Sequence, residues 1–291
     1  MIQRRPLVAV AFMAPALAMY LALIVYPLVQ GLVLSTTDSK IGNAGDFVGL
    51  KNYLALANDS DVMRALGVTV AYAVVVVIVQ NAVGLALARA LYMRPRIRQL
   101  GSTLILVPTL MSATMVAFVW NSLLAPDGAI NSLLRSLGLS ALTHVWLGDP
   151  STALWAIAVV NIWMFAGYSA AVFLAGYMNL PAELIDASNV DGAAGWRRFV
   201  SIEWPLLAPA TTVSVTISLI GSLKVFELPL ILTKGGPAGS TTTLTKLIFD
   251  KIFGGLGSFA YGATIAVLLL VVVVVFAGVT QALLRRREER I

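Results

Sequence analysis

Cysteine is absent from this 291-residue sequence, and histidine occurs once, at His144. The first absence excludes disulfides, thiolate metal sites and cysteine nucleophiles. The second leaves no histidine cluster for zinc and no evident base for a serine nucleophile. Charge is scarce as well. Asp, Glu, Lys and Arg make up 12% of the residues, against roughly 25% in soluble domains. A chain this poor in charge cannot cover a soluble surface of its size. Disorder is excluded too, because 59% of the residues are hydrophobic. No glycine-rich phosphate-cradling loop with its lysine is present, so nucleotide chemistry is not expected of this chain.

What the sequence does have is long apolar runs. Uncharged stretches cover Pro6–Thr37, Ala65–Ala88, Gln99–Pro126, Pro150–Ala182, Trp204–Leu223 and Ile252–Leu284, and the fifth continues past Lys224 and Glu227 to about Thr233. A helix needs roughly 20 apolar residues to cross a hydrocarbon core about 30 Å thick, so each run is long enough. Barrel strands would alternate apolar and polar residues, and Val74–Val79 and Leu268–Val275 do not. In lipid the backbone must satisfy its own hydrogen bonds, and a helix does so even when valine-rich. The expected fold is therefore an all-α integral membrane protein, a bundle of six transmembrane helices in one domain over residues 1–291. The first run is read as a retained anchor, because its uncharged length far exceeds the apolar region of a signal peptide.

The net charge of +6 sits between the apolar runs, which argues against nucleic acid as a partner. One side holds Arg4, Arg5, Arg89, Arg94, Arg96, Arg98, Arg197, Arg198, Arg285, Arg286, Arg287 and Arg290; the other holds Lys40, Lys51, Arg64, Arg135, Lys234, Lys246 and Lys251. The side richer in basic residues is expected to be cytoplasmic. Both termini then lie inside, as an even number of spans requires.

The longest inner loop, about 179–205, carries the most specific pattern. Pro181 suits a first helical position, and Glu183 and Asp186 complement the positive end of a helix there. Leu184, Ala187 and Val190 recur at helical spacing. Asp191-Gly192 is a turn signal that should end this short helix. Trp196, Phe199, Val200 and Ile202 begin a second amphipathic piece, and Pro205 marks entry to the next span. A surface helix resting on lipid headgroups and a docking element for a cytoplasmic partner both fit these residues.

At this point the sequence resembles a known family, the permease subunits of binding-protein-dependent ABC importers. Their loop motif reads Glu-Ala-Ala, three residues, Gly, nine residues, Ile, one residue, Leu-Pro. Here the same spacing holds Asp186-Ala187-Ser188, Gly192, Ile202 and Trp204-Pro205. Asp186, Ser188 and Trp204 depart from the pattern. Further segments resemble the sugar-importer branch, of the larger maltose or glycerol-phosphate permease type. These are Tyr26-Pro27-Leu28, Phe47 to Tyr53, Asp127-Gly128-Ala129-Ile130-Asn131, Leu174-Ala175-Gly176 and Thr233-Lys234-Gly235-Gly236-Pro237. The resemblance implies a multi-pass permease in the cytoplasmic membrane of a prokaryote, surrounded by the lipid bilayer, with no catalysis of its own. It implies a second related permease, two ABC ATPase subunits that hold ATP and magnesium, an extracytoplasmic solute-binding protein, and a carbohydrate as substrate. It makes Glu183, Asp186, Ala187, Ser188, Asp191, Gly192, Ile202 and Pro205 the ATPase-docking loop, and brings the loop of Gly235, Gly236 and Pro237 close to the binding protein.

Candidates for a substrate path follow from polar and aromatic residues inside the spans. Lys224 and Glu227 are three apart, share a helix face and can pair. Ionisable groups at membrane depth face a bundle interior or a wet cavity, so a structural ion pair and a cavity-lining role both remain open. Asn161, Trp163 and Tyr168 suit a sugar path, although interfacial anchoring is the more common use of Trp and Tyr. A secondary transporter or channel is the alternative function. It would use intramembrane carboxylates or histidines, or internal repeats.

Overall fold

The computed structural model describes residues 6–40, 43, 45–254 and 258–288. Among the described residues no strand is present, and the only bridges join Thr37 with Phe47 and Lys40 with Asn43. The α-helices are α1 (Pro6–Tyr20), α2 (Tyr26–Leu34), α3 (Lys51–Asn58), α4 (Ser60–Tyr92), α5 (Pro95–Leu110), α6 (Ala113–Leu123), α7 (Ala129–Ser136), α8 (Ala153–Met178), α9 (Ala182–Val190), α10 (Gly195–Arg198), α11 (Trp204–Leu206), α12 (Ala208–Leu223), α13 (Glu227–Leu232), α14 (Leu244–Phe253) and α15 (Phe259–Glu288). Phe12–Leu34, Ser60–Tyr92, Ala153–Met178, Ala208–Leu232 and Phe259–Glu288 are each long and apolar enough to cross a bilayer. Arg4, Arg5 and Arg290, used above for orientation, lie outside the described residues, as do residues 255–257 of the sixth run.

The third run is not one continuous helix. It is built as α5 and α6, bent by 92°. Pro108 lies inside α5 near its end and leaves the carbonyl of Leu104 without its helical donor. Met111 then turns extended, and the Ser112 side chain accepts from the Met115 N–H at 3.2 Å to start α6 afresh.

Two other prolines are accommodated differently. Each follows a wide π turn. Leu21–Val25 precedes Tyr26-Pro27, with the Tyr26 N–H on the Leu21 carbonyl, and Phe199–Glu203 precedes Trp204-Pro205, with the Trp204 N–H on the Phe199 carbonyl. The wider turn makes room for a ring that would collide with the carbonyl four residues back. It also shifts the helical register, which matters for Glu203 below.

The chain forms two compact units, Met1–Val62 with Leu247–Leu270, and Met63–Lys246 with Val271–Ile291. In the second unit α8 is the central element. Tyr72 and Val76 of α4, Val116 and Ala117 of α6 and Leu228 and Leu232 of α13 pack on Ile157, Val160 and Met164 of α8. Further along, Ala88 and Leu91 of α4 meet Ala170, Phe173 and Tyr177. A helix apolar all round is suited to burial on all sides.

In the first unit, polar contacts tie the chain together. Ser35 Oγ and Tyr53 Oη lie 2.6 Å apart, and the Asn52 amide donates to the carbonyls of Ser35 and Thr37. Asp59, just ahead of α4, accepts from the Tyr261 hydroxyl at 2.7 Å and from the Asp61 N–H at 2.9 Å, and faces Lys251 at 3.9 Å. Burial pushes this carboxyl up, but the Tyr261 hydroxyl, the N–H groups of Asp61 and Val62, and Lys251 together outweigh it and hold it below its ordinary value. A depressed carboxyl contributes stability above its unfolded value, and that contribution is lost as pH falls through the folded value. Asp59→Asn is therefore expected to cost about 1 kcal/mol at pH 7. The gap to wild type should close as pH drops below about 4. Melting temperatures across this range check it, and a gap that does not vary with pH would refute the assignment.

Candidate functional site

The loop between α8 and α12 folds as its residues suggest. α9 starts directly after Pro181 with Glu183 in its first turn, and ends at Val190. The Asp191 N–H bonds the Ala187 carbonyl at 3.0 Å and the Ala193 N–H the Ser188 carbonyl at 2.9 Å. Gly192 follows with φ +69°, the left-handed conformation that lets these carbonyls be capped. A Cβ at Gly192 would meet nothing within 4 Å, so backbone conformation, not crowding within this chain, calls for glycine. Ser188 is buried, its hydroxyl donating to the Ile185 carbonyl at 2.6 Å. Glu183, Asp186, Ala187 and Asp191 are exposed, as are Leu184 and Val190, the latter at 88%. The apolar stripe read from the sequence thus faces outward. Asp186 also lines a cleft of about 280 Å³ with Tyr92, Arg98 and Tyr177. Ile202 and Pro205 are half-buried.

The second half of the loop is fastened by a carboxylate that the sequence alone did not single out. Glu203 is 1% exposed. Its Oε2 accepts from Arg89 Nε of α4 at 3.0 Å and from the Tyr177 hydroxyl of α8 at 3.3 Å, and its Oε1 accepts from Arg198 Nε of α10 at 2.9 Å. Arg89 Nη2 also donates to the Gly195 carbonyl at 2.8 Å, and its guanidinium lies 4.8 Å from the Phe199 ring centroid. Arg287 of α15 stacks 4.3 Å over Trp204 and donates to its carbonyl at 2.9 Å. A lone acid beside a span and a lone arginine at the end of another were the available signals.

A cavity of about 200 Å³ lies among α4, α6, α8, α12 and α13. Asn161, Tyr168, Lys224 and Glu227 line it together with Gln80, Phe165, Ser218 and Ser222. Trp163 is not among the lining residues; its ring meets Trp120 edge-on at 5.5 Å. Gln80 donates to Ser169 Oγ at 3.0 Å, and Asn81 to Ser218 Oγ at 2.8 Å. These polar residues of α4 went unremarked in the sequence because they sit within an unbroken apolar run.

The shared helix face expected for Lys224 and Glu227 is not realised. α12 ends at Leu223 with Lys224 as its cap, and α13 begins at Glu227. Pro229 causes the break, since it cannot donate to the Val225 carbonyl. The buried Thr243 hydroxyl takes that carbonyl instead, at 3.1 Å. Both charged side chains are exposed toward the cavity, and among the described residues neither makes an ion pair or hydrogen bond. The basic group at the end of α12 and the acidic group at the start of α13 each complement a helix dipole.

Gly235, Gly236 and Pro237 form a tight turn braced by threonines. Thr242 Oγ1 donates to the Gly235 carbonyl at 3.0 Å and Thr241 Oγ1 to that of Gly236 at 2.7 Å. Gly235 has φ +86°, and a Cβ there would press on Thr242 and Lys246. His144 is a loop residue whose ring meets Trp146 edge-on. Among the described residues no three metal-ligating side chains converge.

Residues 80–289 match the family described as binding-protein-dependent transport system inner membrane component. The chain is 30% identical over 282 residues to a probable starch degradation products transport system permease protein of Thermoanaerobacterium thermosulfurigenes, covering 95% of this chain and 94% of that one. It is 32% identical over 270 residues to a lactose transport system permease protein of Rhizobium radiobacter, covering 91% and 90%. It is 32% identical over 231 residues to a trehalose/maltose transport system permease protein of Thermococcus litoralis, covering 79% and 77%. In fold it matches a chain of a bacterial ABC transporter that imports the acidic polysaccharide alginate, with a TM-score of 0.84 at 22% identity over 97% of this chain and 96% of that one.

Proposed function

The chain belongs to the family of inner membrane components of binding-protein-dependent transport systems, and from that premise we propose that it is one transmembrane half of an ATP-driven carbohydrate importer. The observation that carries this reading is the α9 to α11 loop. Its Glu183, Asp186 and Asp191 carboxylates and the Leu184 and Val190 side chains face outward together. An exposed apolar stripe edged by acids suits a protein partner better than headgroups, which favour basic faces. Two ATPase subunits dock on such loops in this reading, one here and one on a second, related permease. ATP and magnesium are held by those partners, and this chain catalyses no reaction.

Three relatives named for sugar or starch-product transport point to carbohydrate as the substrate class. The cavity chemistry supports it. Gln80, Asn161, Ser218 and Ser222 offer hydrogen bonds to hydroxyls, Lys224 and Glu227 offer charge-assisted ones, and Phe165 and Tyr168 offer ring faces. A solute-binding protein delivers the sugar to the outer side, near the turn of Gly235, Gly236 and Pro237. The basic-residue bias supports a cytoplasmic location for both termini and the docking loop. A reporter active only in the cytoplasm is expected to work when fused after Ile291 and to be silent when inserted at Gly45; the reverse pattern would invert the topology.

Substitutions in the loop test the docking itself. Asp186→Lys should insert normally yet lose charge-assisted contacts worth roughly 1.5–3 kcal/mol each, and retain the ATPase poorly on co-purification. Gly192→Asn tolerates the left-handed conformation while projecting a side chain into the open space, so it separates docking from backbone strain. Unchanged retention and uptake in both variants would mean that the loop merely rests on the membrane surface.

A further inference from the structure

We infer that Glu203 is a positioning residue that makes the α10 to α11 part of the docking loop move as one body with α4 and α8, the two helices that also wall the cavity. This rests on the docking reading above.

The chain between α9 and α10 turns on two glycines. Gly192 and Gly195 both adopt positive φ, at +69° and +57°, with only Ala193 and Ala194 between them. The segment from α10 to α11 lies beyond this turn, so it stays with the bundle only through contacts of its own. Glu203 holds it. Its two oxygens reach Arg89 on α4, Tyr177 on α8 and Arg198 on α10, and Arg89 in turn grips the Gly195 carbonyl. Charge-assisted contacts of this kind are short and directional. Here they are shielded, since the side chains of Glu203, Arg89 and Arg198 are 2%, 21% and 19% exposed. The π turn places the carboxylate inward, directly before the Trp204-Pro205 entry to the next span.

Both helices so gripped continue to the cavity. Arg89 stands nine residues beyond Gln80 on α4, about 14 Å along the axis. Tyr177 stands nine beyond Tyr168 on α8. Gln80 and Ser169 hydrogen-bond to each other between these helices. A push on the α10 to α11 segment therefore reaches the cavity wall through two helices joined at both ends.

The chain has no native cysteine, so spin labels can be placed without altering it elsewhere. Met93, just past α4, and Val200, in the loop, are both exposed and take the labels as Met93→Cys and Val200→Cys. In the full transporter with its ATPase, the distance between these labels is measured without nucleotide and with ATP, magnesium and vanadate. The wild-type background should give one narrow distance in both states. Glu203→Gln leaves two arginines facing an uncharged group. It should broaden the distribution and let it shift with nucleotide. Arg89→Lys keeps the charge opposite Glu203, and so the fold, but cannot span Glu203 and Gly195 together; it should give a smaller shift. A role confined to fold stability would lower the amount of transporter while leaving the distance fixed in both variants, and that result overturns the inference. So does a wild-type distance that already varies with nucleotide. A wild-type chain that fails to hold an ABC ATPase overturns the docking reading, and this inference with it.

Discussion

A Gly167→Ala chain is expected not to accumulate in the membrane. Gly167 lies in the middle of α8, where α5 crosses it, and a Cβ there would collide with the carbonyl oxygen of Ile105. Next to this point Thr109 of α5 donates to the Met164 carbonyl of α8 at 2.7 Å, so the two backbones are held close by design of both sequences. Small residues permit such approaches between helices in lipid. Overpacking usually costs about 1–3 kcal/mol because side chains can yield. Here the obstacle is main chain, which no rotamer change can move, so the helices must separate and the hydrogen bond must break. Gly67→Ala is the control. A Cβ at Gly67 meets nothing within 4 Å, and alanine there should favour the helix by up to about 1 kcal/mol. The amount of monodisperse protein extracted from membranes reads both. Normal recovery of Gly167→Ala with an unchanged melting temperature would show that α5 and α8 do not cross this closely.

What the sequence could reveal follows from the range of the interactions involved. The spans were legible because a long apolar run has one stable solution in lipid, and the family pattern from Asp186 to Pro205 was legible because it is contiguous. Gly192 was readable for the same reason, since its backbone requirement is local. The bend after Pro108 was hidden. Its causes, a proline and a capping Ser112, stand in an uncharged run that composition alone reads as one helix. The break between Lys224 and Glu227 did have a local sign in Pro229, two residues on, but the i, i+3 spacing pointed the other way. Glu203 stood out only as a lone acid beside a span, with nothing to say what it pairs with. Its partner Arg89 is 114 residues distant, and sequence proximity joins Glu203 only to Arg198. Asn161 and Tyr168 reach the cavity while Trp163, between them, does not, because a helix turns about 100° per residue and no single-sequence signal says which face the cavity occupies.

The same geometry fixes what Lys224 and Glu227 should do when changed. A buried ion pair that loses one member leaves an uncompensated charge and costs about 3–5 kcal/mol, with the loss partly recovered when both are removed. These two residues are not such a pair, for the helix is broken between them and each faces the cavity with no ion-pair partner among the described residues. Lys224→Met and Glu227→Gln are therefore expected to leave the amount and melting temperature of the folded protein near wild type. If each charge hydrogen-bonds a sugar hydroxyl during passage, each substitution removes about 1.5–3 kcal/mol of interaction, which is roughly 10- to 150-fold in uptake. The double variant should be no better folded than either single one and should transport no faster. Uptake of the carbohydrate held by the cognate binding protein, measured in proteoliposomes beside the recovered protein level, separates the two cases. Low protein in both single variants with recovery in the double would restore the ion pair. Uptake at the wild-type rate in both would remove Lys224 and Glu227 from the path and leave Gln80, Asn161 and Tyr168 to line it.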